Sequence, residues 1–414
     1  MSDALTPREV ADELGVTVRT VQRWITMGRL PAQRVGGRLR VSRSSLSTFG
    51  GEPHTPITRR PIRTLLIANR GEIAARVNRT ARTLGIRVVR VYSPDEPAPT
   101  DADTGYAIGS YLDGDEILAV ARRAGADAIH PGYGFLAENA AFAASVTDAG
   151  LAWVGPRTAA IAAMGDKAAA RRLAAEKGVE VLPGYDGAAQ DDATLGEQAH
   201  RIGYPLLVKP SVGGGGKGMH VVRTAADLPE ALAAARREAG RAFGDDRLIL
   251  ERYLDGARHV EVQVLFDGHG AGVHLGERDC SAQRRSQKIV EEAPAPSVSD
   301  EVRARMGAAA LSVAAAVGYE SAGTVEFLVD DRGSFAFIEM NTRLQVEHPV
   351  TEAVTGRDLV ADQLKVAEGA TLASLGLRRP PATRGHAIEA RLYAEDPDAG
   401  FLPASGRIAR LAWP

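Results

Sequence analysis

Three groups of residues in this 414-residue sequence have the types and spacing to do chemistry. The first is a glycine run. Leu206-Leu207-Val208-Lys209 reads as a strand ending in lysine, and a second apolar strand runs from Met219 to Val222. Between them lie Gly213, Gly214, Gly215 and Gly216, followed by Lys217-Gly218. Four consecutive glycines pack nothing, but a backbone without Cβ atoms lets amide N–H groups close on phosphate oxygens, and Lys209 and Lys217 supply countercharge. A Walker A loop is excluded, because Gly218 stands where Ser or Thr is needed and the continuation is strand-like rather than helical. A strand-loop-strand flap over a nucleotide is expected instead.

The second group is a pair of carboxylates. Thr324-Val325-Glu326-Phe327-Leu328-Val329 and Phe335-Ala336-Phe337-Ile338-Glu339-Met340 form an antiparallel hairpin if Arg332-Gly333 is its two-residue turn. Asp331 then faces Ser334, and counting back along both strands sets Glu326 opposite Glu339. Like charges so placed repel unless a cation lies between them, and an all-oxygen site beside a phosphate loop suits Mg2+. Asn341, two residues beyond Glu339, adds a neutral oxygen on the same face. In the third group, Arg343 and Gln345 offer a planar cationic fork and an amide to a small planar anion such as bicarbonate, and Glu347 is spaced to act as its general base. By itself this last run fits a structural loop equally well.

The elements that must hold these residues begin at Thr64. Thr64-Leu65-Leu66-Ile67-Ala68 reads as a buried strand, Glu72 to Leu84 as a helix, and Val88-Val89-Arg90-Val91-Tyr92 as a second strand; Ala128-Ile129-His130 and Ala152-Trp153-Val154 repeat the strand signal. A doubly wound parallel sheet to about Gly155 follows. No G-x-G-x-x-G follows the first strand, which argues against a dinucleotide site. With 44% hydrophobic and 25% charged residues and a net charge of -2, the chain has an ordinary globular composition and no global field for nucleic acid or membrane. The lone Cys280 excludes an internal disulfide framework and a cysteine-rich metal site, and fits a reducing compartment. The start of the chain lacks a secretory pattern, and no apolar stretch reaches spanning length, so a cytoplasmic protein without membrane partners is expected.

The first 60 residues differ from the rest, with ten arginines against five acidic residues. Thr6-Pro7-Arg8-Glu9 has the form of a capping box opening a helix to Leu14. After Gly15, Thr17 caps a second helix through Met27, with Val18, Val21, Trp24 and Ile25 on one face. Gln33-Arg34-Val35 and Arg38-Leu39-Arg40-Val41 flank Gly36-Gly37, a hairpin signal for a small basic wing. These features resemble the winged helix-turn-helix of excisionase and MerR-type modules. The resemblance implies DNA as a partner through residues 1–50, with Arg19, Thr20, Arg23 and Arg38 as candidate contacts. Residues 51–62 read as a linker.

From residue 63 onward the chain resembles the biotin carboxylase family of ATP-grasp enzymes. Carrying the resemblance are Ile67-Ala68-Asn69-Arg70-Gly71-Glu72-Ile73-Ala74, His130-Pro131-Gly132-Tyr133-Gly134-Phe135-Leu136, Met164-Gly165-Asp166-Lys167, Glu277-Arg278-Asp279-Cys280-Ser281, and the run from Glu339 to His348. It implies an α/β and α+β chain: a small winged helix-turn-helix, a Rossmann-like pre-ATP-grasp domain over 63–178, and an ATP-grasp fold over 179–375 with its lid at about 181–255. Residues 376–414 would open an incomplete C-terminal domain. The same likeness implies that Lys167, Lys209 and the glycines contact ATP, that Glu251, Leu254, His259 and Gln283 line its pocket, and that Lys288 reaches the terminal phosphate. Glu326, Glu339 and Asn341 would hold Mg2+ or Mn2+; Arg343, Gln345 and the Val346 backbone would hold bicarbonate, with Arg343, Glu347 and Lys288 catalytic. The implied reaction carboxylates biotin on a carrier protein through carboxyphosphate. A biotin carboxyl carrier protein, a carboxyltransferase subunit and a second copy of the chain would be partners, as in acetyl-CoA or another acyl-CoA carboxylase, the former implying fatty acid biosynthesis.

Two departures stand out. The family usually has histidine where Ser286 stands, and it continues for about another quarter of its length beyond Pro414, with further strands, dimer surface and a second arginine near biotin. An alternative is therefore a DNA-binding regulator whose carboxylase-like part only binds ATP. Neither the acyl-CoA, the assembly state nor a DNA target is legible in the sequence.

Overall fold

The computed structural model describes residues 4–14, 18, 21–22, 25, 30–35, 38–43, 45, 61–211, 218–404, 406, 410 and 412. Near the N-terminus the capping box closes as its residue types require: Thr6 N donates to Glu9 Oε2 at 2.6 Å, and Glu9 N donates back to Thr6 Oγ1 at 3.2 Å. The helix Pro7–Leu14 follows, and the hairpin pairs Val35 with Arg38. An unanticipated strand, Ala4–Leu5, pairs with Arg38–Ser42 to make three strands. Val10, Ala11, Val21, Leu30 and Val41 bury against one another as a small core. Val18 is exposed rather than part of that face. Most of the second helix lies outside the described residues, including Trp24, Arg19, Thr20 and Arg23.

The parallel sheet has five strands in the order Thr104–Ala107, Arg87–Tyr92, Thr64–Ile67, Ala128–His130, Ala152–Trp153. The edge strand Thr104–Ala107 is half exposed and contains glycine, so it lacks the apolar run that marks the other four. At the switch point, where the order reverses, Asn69 Nδ2 donates to the carbonyls of Pro131 (2.6 Å) and Tyr133 (2.7 Å). Gly132 sits at φ +64°, and a Cβ there would come within 2.8 Å of Asn69 Nδ2, so this crossing requires glycine.

A four-stranded antiparallel lid follows, in the order His220–Val222, Leu206–Pro210, Leu248–Arg252, Gly184–Tyr185. Leu195, Leu206, Val208, Leu232 and Leu250 form its own core beneath two helices, Asp192–Ile202 and Leu228–Phe243. The flap strands expected around the glycine run are present and antiparallel. Gly213, Gly214, Gly215, Gly216 and Lys217 lie outside the described residues.

The remaining sheet is antiparallel and six-stranded: Phe335–Asn341, Ser321–Val329, Arg258–Phe266, Gly272–Arg284, Gln287–Ala293, Ala387–Ala390. One face packs Val260, Val262, Val325, Phe327 and Phe337 against the helix Asp300–Ala316; the other packs Leu265 and Leu275 with Leu359 and Leu364 and the parallel-sheet helix residues Ile73 and Val77. Glu326 does face Glu339, but by a different route from that expected. The turn pairs Asp330 with Ser334, one residue longer than a two-residue loop, and a bulge between Glu326 and Phe327 restores the register. No described helix is long and apolar enough to cross a membrane.

Phe337 is fully buried, packs edge-to-face on Phe327 with centroids 6.4 Å apart, and donates its N–H to Glu180 O at the entrance to the lid. Phe337→Ala is expected to lower folding stability by about 3–5 kcal/mol, read as a shift of the urea midpoint at unchanged slope.

Candidate active site

Lys288 stands at the centre of the six-stranded sheet's polar face. Its Nζ lies 2.5 Å from Glu261 Oε2, 2.9 Å from Glu326 Oε1 and 2.7 Å from Glu347 Oε1. Strand alternation supplies Glu261: His259, Glu261 and Gln263 leave the strand Arg258–Phe266 on one side while Val260, Val262 and Val264 enter the apolar core. Glu347 comes from the N-cap of the helix His348–Thr355. The fully buried Arg278 braces the cluster from beneath, donating to Glu261 Oε1 (2.6 Å), Gln263 Oε1 (2.8 Å), Thr351 Oγ1 (2.9 Å) and Thr324 Oγ1 (3.1 Å).

Burial alone would raise the Glu347 carboxyl, but Lys288, Arg278 and Arg391 outweigh it and hold it at about 2. The same contest, with Lys288 and His259 as partners, keeps Glu326 well below its ordinary value. Burial opposes charge on Lys288 too, yet Glu261, Glu326 and Glu347 drive its pKa well up. Glu261, wholly enclosed, is the exception and is raised, by burial and by Glu347.

Other residues singled out in the sequence lie around this cluster. His259 bridges Gln283 Nε2 and Glu326 Oε2, each at 2.8 Å. Arg343 donates to Gln345 Oε1 at 2.8 Å, so the fork and the amide expected to share an anion are adjacent. Val346 is half-buried in the turn that follows. Lys167 pairs with Glu339 at 3.0 Å. Lys209 pairs with Glu251 in the lid, where burial depresses the lysine, and Leu254 is half-buried just after that strand. Asn341 differs from expectation: its Nδ2 donates to Glu326 Oε1 at 2.7 Å and its Oδ1 accepts from Arg343 at 3.1 Å. In this orientation the Asn341 amide nitrogen joins Lys288 and His259 around the Glu326 carboxylate.

Five residues at the site had no assigned role in the sequence. Arg171 pairs with Glu251 beside Lys209; Glu138 holds Arg343 Nε at 3.1 Å; Glu261 and Arg278 anchor Lys288. The fifth, Arg391, contacts Glu347 Oε2 at 3.0 Å and Glu291 Oε1 at 2.6 Å. A second arginine near the site, besides Arg343, was expected beyond Pro414, whereas Arg391 already lies there on the segment after the sheet's edge strand. The polar alternation of His259-Val260-Glu261-Val262-Gln263 was the one signal that could have disclosed Glu261. Ser286 sits with Arg285 at a hairpin tip where both residues have positive φ (61° and 52°), exposed and two positions from Lys288. The departure there leaves the carboxylate cluster intact.

Donor chemistry fits a hard cation: carboxylate oxygens of Glu326 and Glu339 flank the Lys167 and Lys288 ammonium groups, and donor atoms of His259, Glu261 and Glu326 converge within 4.8 Å. A parallel-sheet domain, a flap-bearing lid, and an antiparallel sheet carrying lysines and carboxylates define an ATP-grasp fold. A family model described as the biotin carboxylase N-terminal domain matches residues 61–161, and one described as the carbamoyl-phosphate synthase L chain ATP-binding domain matches 166–375. A helix-turn-helix domain model matches residues 4–49. A biotin carboxylase of Campylobacter jejuni, solved with an ATP ligand, is 45% identical with a TM-score of 0.78, over 83% of this chain and 78% of that one. The biotin carboxylase domain of Hydrogenobacter thermophilus 2-oxoglutarate carboxylase, solved with MgADP and bicarbonate, is 44% identical with a TM-score of 0.79, over 83% and 77%. The chain belongs to the biotin carboxylase family.

Among curated relatives, the mitochondrial methylcrotonoyl-CoA carboxylase subunit alpha of Dictyostelium discoideum is 51% identical over 364 residues, 86% of this chain and 52% of that protein. The propionyl-CoA carboxylase alpha chain of Ruegeria pomeroyi is 48% identical over 359 residues, 84% and 52%. The chain spans about half the length of these curated relatives.

Lys288→Met removes the shared cation from three buried carboxylates and is expected to cost about 3–5 kcal/mol at pH 7. Glu326 and Glu347 titrate lower in the folded chain than unfolded, near 4.3, so their stabilisation is present above about pH 4 and is lost as pH falls toward 2. The penalty should therefore be full in urea melts at pH 7 and smaller at pH 3.

Proposed function

We propose that this chain is the biotin carboxylase component of an acyl-CoA carboxylase, acting in the cytoplasm, which uses ATP and bicarbonate to carboxylate biotin on a separate carrier protein. The observation that carries this reading is Glu347, a buried carboxylate kept ionised by Lys288 and Arg391 and held near the Arg343–Gln345 pair. Lys167, Lys209 and the loop Gly213–Gly216 bind the phosphates of ATP; Glu251, Leu254, His259 and Gln283 line its pocket. Glu326, Glu339 and Asn341 would hold Mg2+ or Mn2+, which when bound neutralises charge on the phosphates.

Arg343, Gln345 and the Val346 backbone orient bicarbonate. When Lys288 turns to the terminal phosphate, Glu347 regains basicity and takes the bicarbonate proton. The bicarbonate oxygen attacks the γ-phosphorus, ADP leaves, and carboxyphosphate forms. Its C–O bond to the phosphate oxygen then breaks to give CO2 and phosphate. Phosphate accepts the N1 proton of biotin, and the ureido nitrogen bonds to the carbon of CO2. Most of the acceleration comes from positioning and charge.

The relatives named above act on methylcrotonoyl-CoA or propionyl-CoA, which favours such acyl groups in the parent complex over acetyl-CoA and fatty acid biosynthesis. A carboxyltransferase subunit, a carrier protein and a second copy of the chain are the proposed partners. The division of the carboxylase part at 63–178, 179–375 and 376–414 belongs to the same reading. Glu347→Gln is expected to lower biotin-stimulated, bicarbonate-dependent phosphate release by about 100-fold or more with little change in the KM for ATP. Equal rates in variant and wild type would remove the base assignment.

A second partner is favoured by the helix-turn-helix match and the arginine surplus of residues 1–60. DNA binding through Arg19, Thr20, Arg23 and Arg38 predicts that the full chain retards duplex DNA at low salt, that added salt abolishes the shift, and that Arg19→Ala/Arg23→Ala abolishes it. No shift at low salt would leave the module without a DNA role.

A further inference from the structure

Two carboxylates beside the site have no part in the reaction above. Glu291, on Gln287–Ala293, and Glu389, on the edge strand Ala387–Ala390, are direct cross-strand partners, so their Cβ atoms lie roughly 4.5–5.5 Å apart on one face. The Glu291 side chain is fully buried; its Oε1 accepts from Arg391 Nε at 2.6 Å and its Oε2 is buried without a partner. Glu389 also turns a buried Oε2 without a partner. Arg391, two residues beyond Glu389 and on the same face, extends to Glu347 Oε2 at 3.0 Å. Ionised carboxylates only accept hydrogen bonds, so neighbouring orphan oxygens are satisfied together only when one carries a proton.

We propose that Glu291 and Glu389 share a proton and, through Arg391, position Glu347 and set its basicity, a role that rests on the carboxylase reading above. Both are positioning residues, since neither reaches the reacting atoms. The charged groups facing Glu389 are Glu291 and Arg278 from the neighbouring strands, Glu347 from the helix start, Arg391 on its own segment, and Tyr133, whose hydroxyl donates to Glu72 at 2.5 Å. Burial first, then Glu291 and Glu347, push the Glu389 carboxyl up to about 7 against the pull of Arg391 and Arg278. With the proton present, Glu389 donates to Glu291, and Arg391 stays divided between Glu291 and Glu347. Loss of the proton adds negative charge beside Arg391, draws the guanidinium away from Glu347 and leaves that carboxylate a better base.

Glu389→Gln tests this in the full chain, because the amide still donates to Glu291 but does not ionise. A carboxyl raised in the folded state destabilises it as pH climbs from the unfolded value near 4.3 through about 7. The melting temperature of the variant should therefore gain on the wild type between about pH 5 and about pH 8. In turnover at saturating ATP, bicarbonate and biotin, wild-type kcat should rise with a midpoint near 7, and the variant should lack that step while its KM for ATP changes less than about twofold. A constant melting difference across this pH range would overturn the proposal, as would an unshifted kcat profile in the variant. A chain that binds ATP without turnover would overturn the carboxylase reading alone, since the melting comparison still decides the shared proton.

Discussion

Glu261, Glu326 and Glu347 converge on one ammonium group, and the rest of the site is arranged around that concentration of charge. Two unit charges 4 Å apart interact by about 4 kcal/mol at an effective dielectric of 20, so three enclosed carboxylates would not stay ionised together without Lys288. Arg278 is fully buried for the same reason: it spends its donors on Glu261, Gln263, Thr324 and Thr351, tying three strands and a helix to the charge beneath the site. The sheet contributes by alternation, turning His259, Glu261 and Gln263 toward the cluster and each valine of Arg258–Phe266 toward the core.

This arrangement makes the ligand-free site self-neutralised. Lys167 rests on Glu339, Lys209 on Glu251, Lys288 on three acids, and Asn341 turns its amide nitrogen to Glu326. Lys167, Lys209 and Lys288 are each held by a carboxylate, so in the proposed reaction nucleotide binding is an exchange of partners. In the proposed reaction this exchange would release Glu347 from one of its two direct cationic partners when a base is needed, with Arg391 left to orient it.

Where chemistry depended on residue type, the sequence was legible: the capping box, the four strongly apolar parallel strands and the flap strands lie where pattern put them. Failures came where type is uninformative. Thr104–Ala107 carries no apolar run because it is an edge, and the hairpin register came out correctly only because a longer turn and a bulge cancel. Arg171, Glu138, Glu291 and Arg391 are ordinary charged residues along the chain; only tertiary placement sets each against a partner more than 60 residues away. Of the residues without an assigned role, Glu261 alone left a trace, as a polar residue at period two within a valine strand.

The central claim is that this charge cluster delivers a bicarbonate oxygen to the terminal phosphate of ATP. It is tested most directly by supplying 18O-labelled bicarbonate with ATP, Mg2+ and biotin to the full chain and measuring the isotope content of the released phosphate by mass spectrometry. The account predicts one labelled oxygen per phosphate formed in the biotin-dependent reaction. Phosphate released without label would mean that water, not bicarbonate, attacks ATP, and would contradict it.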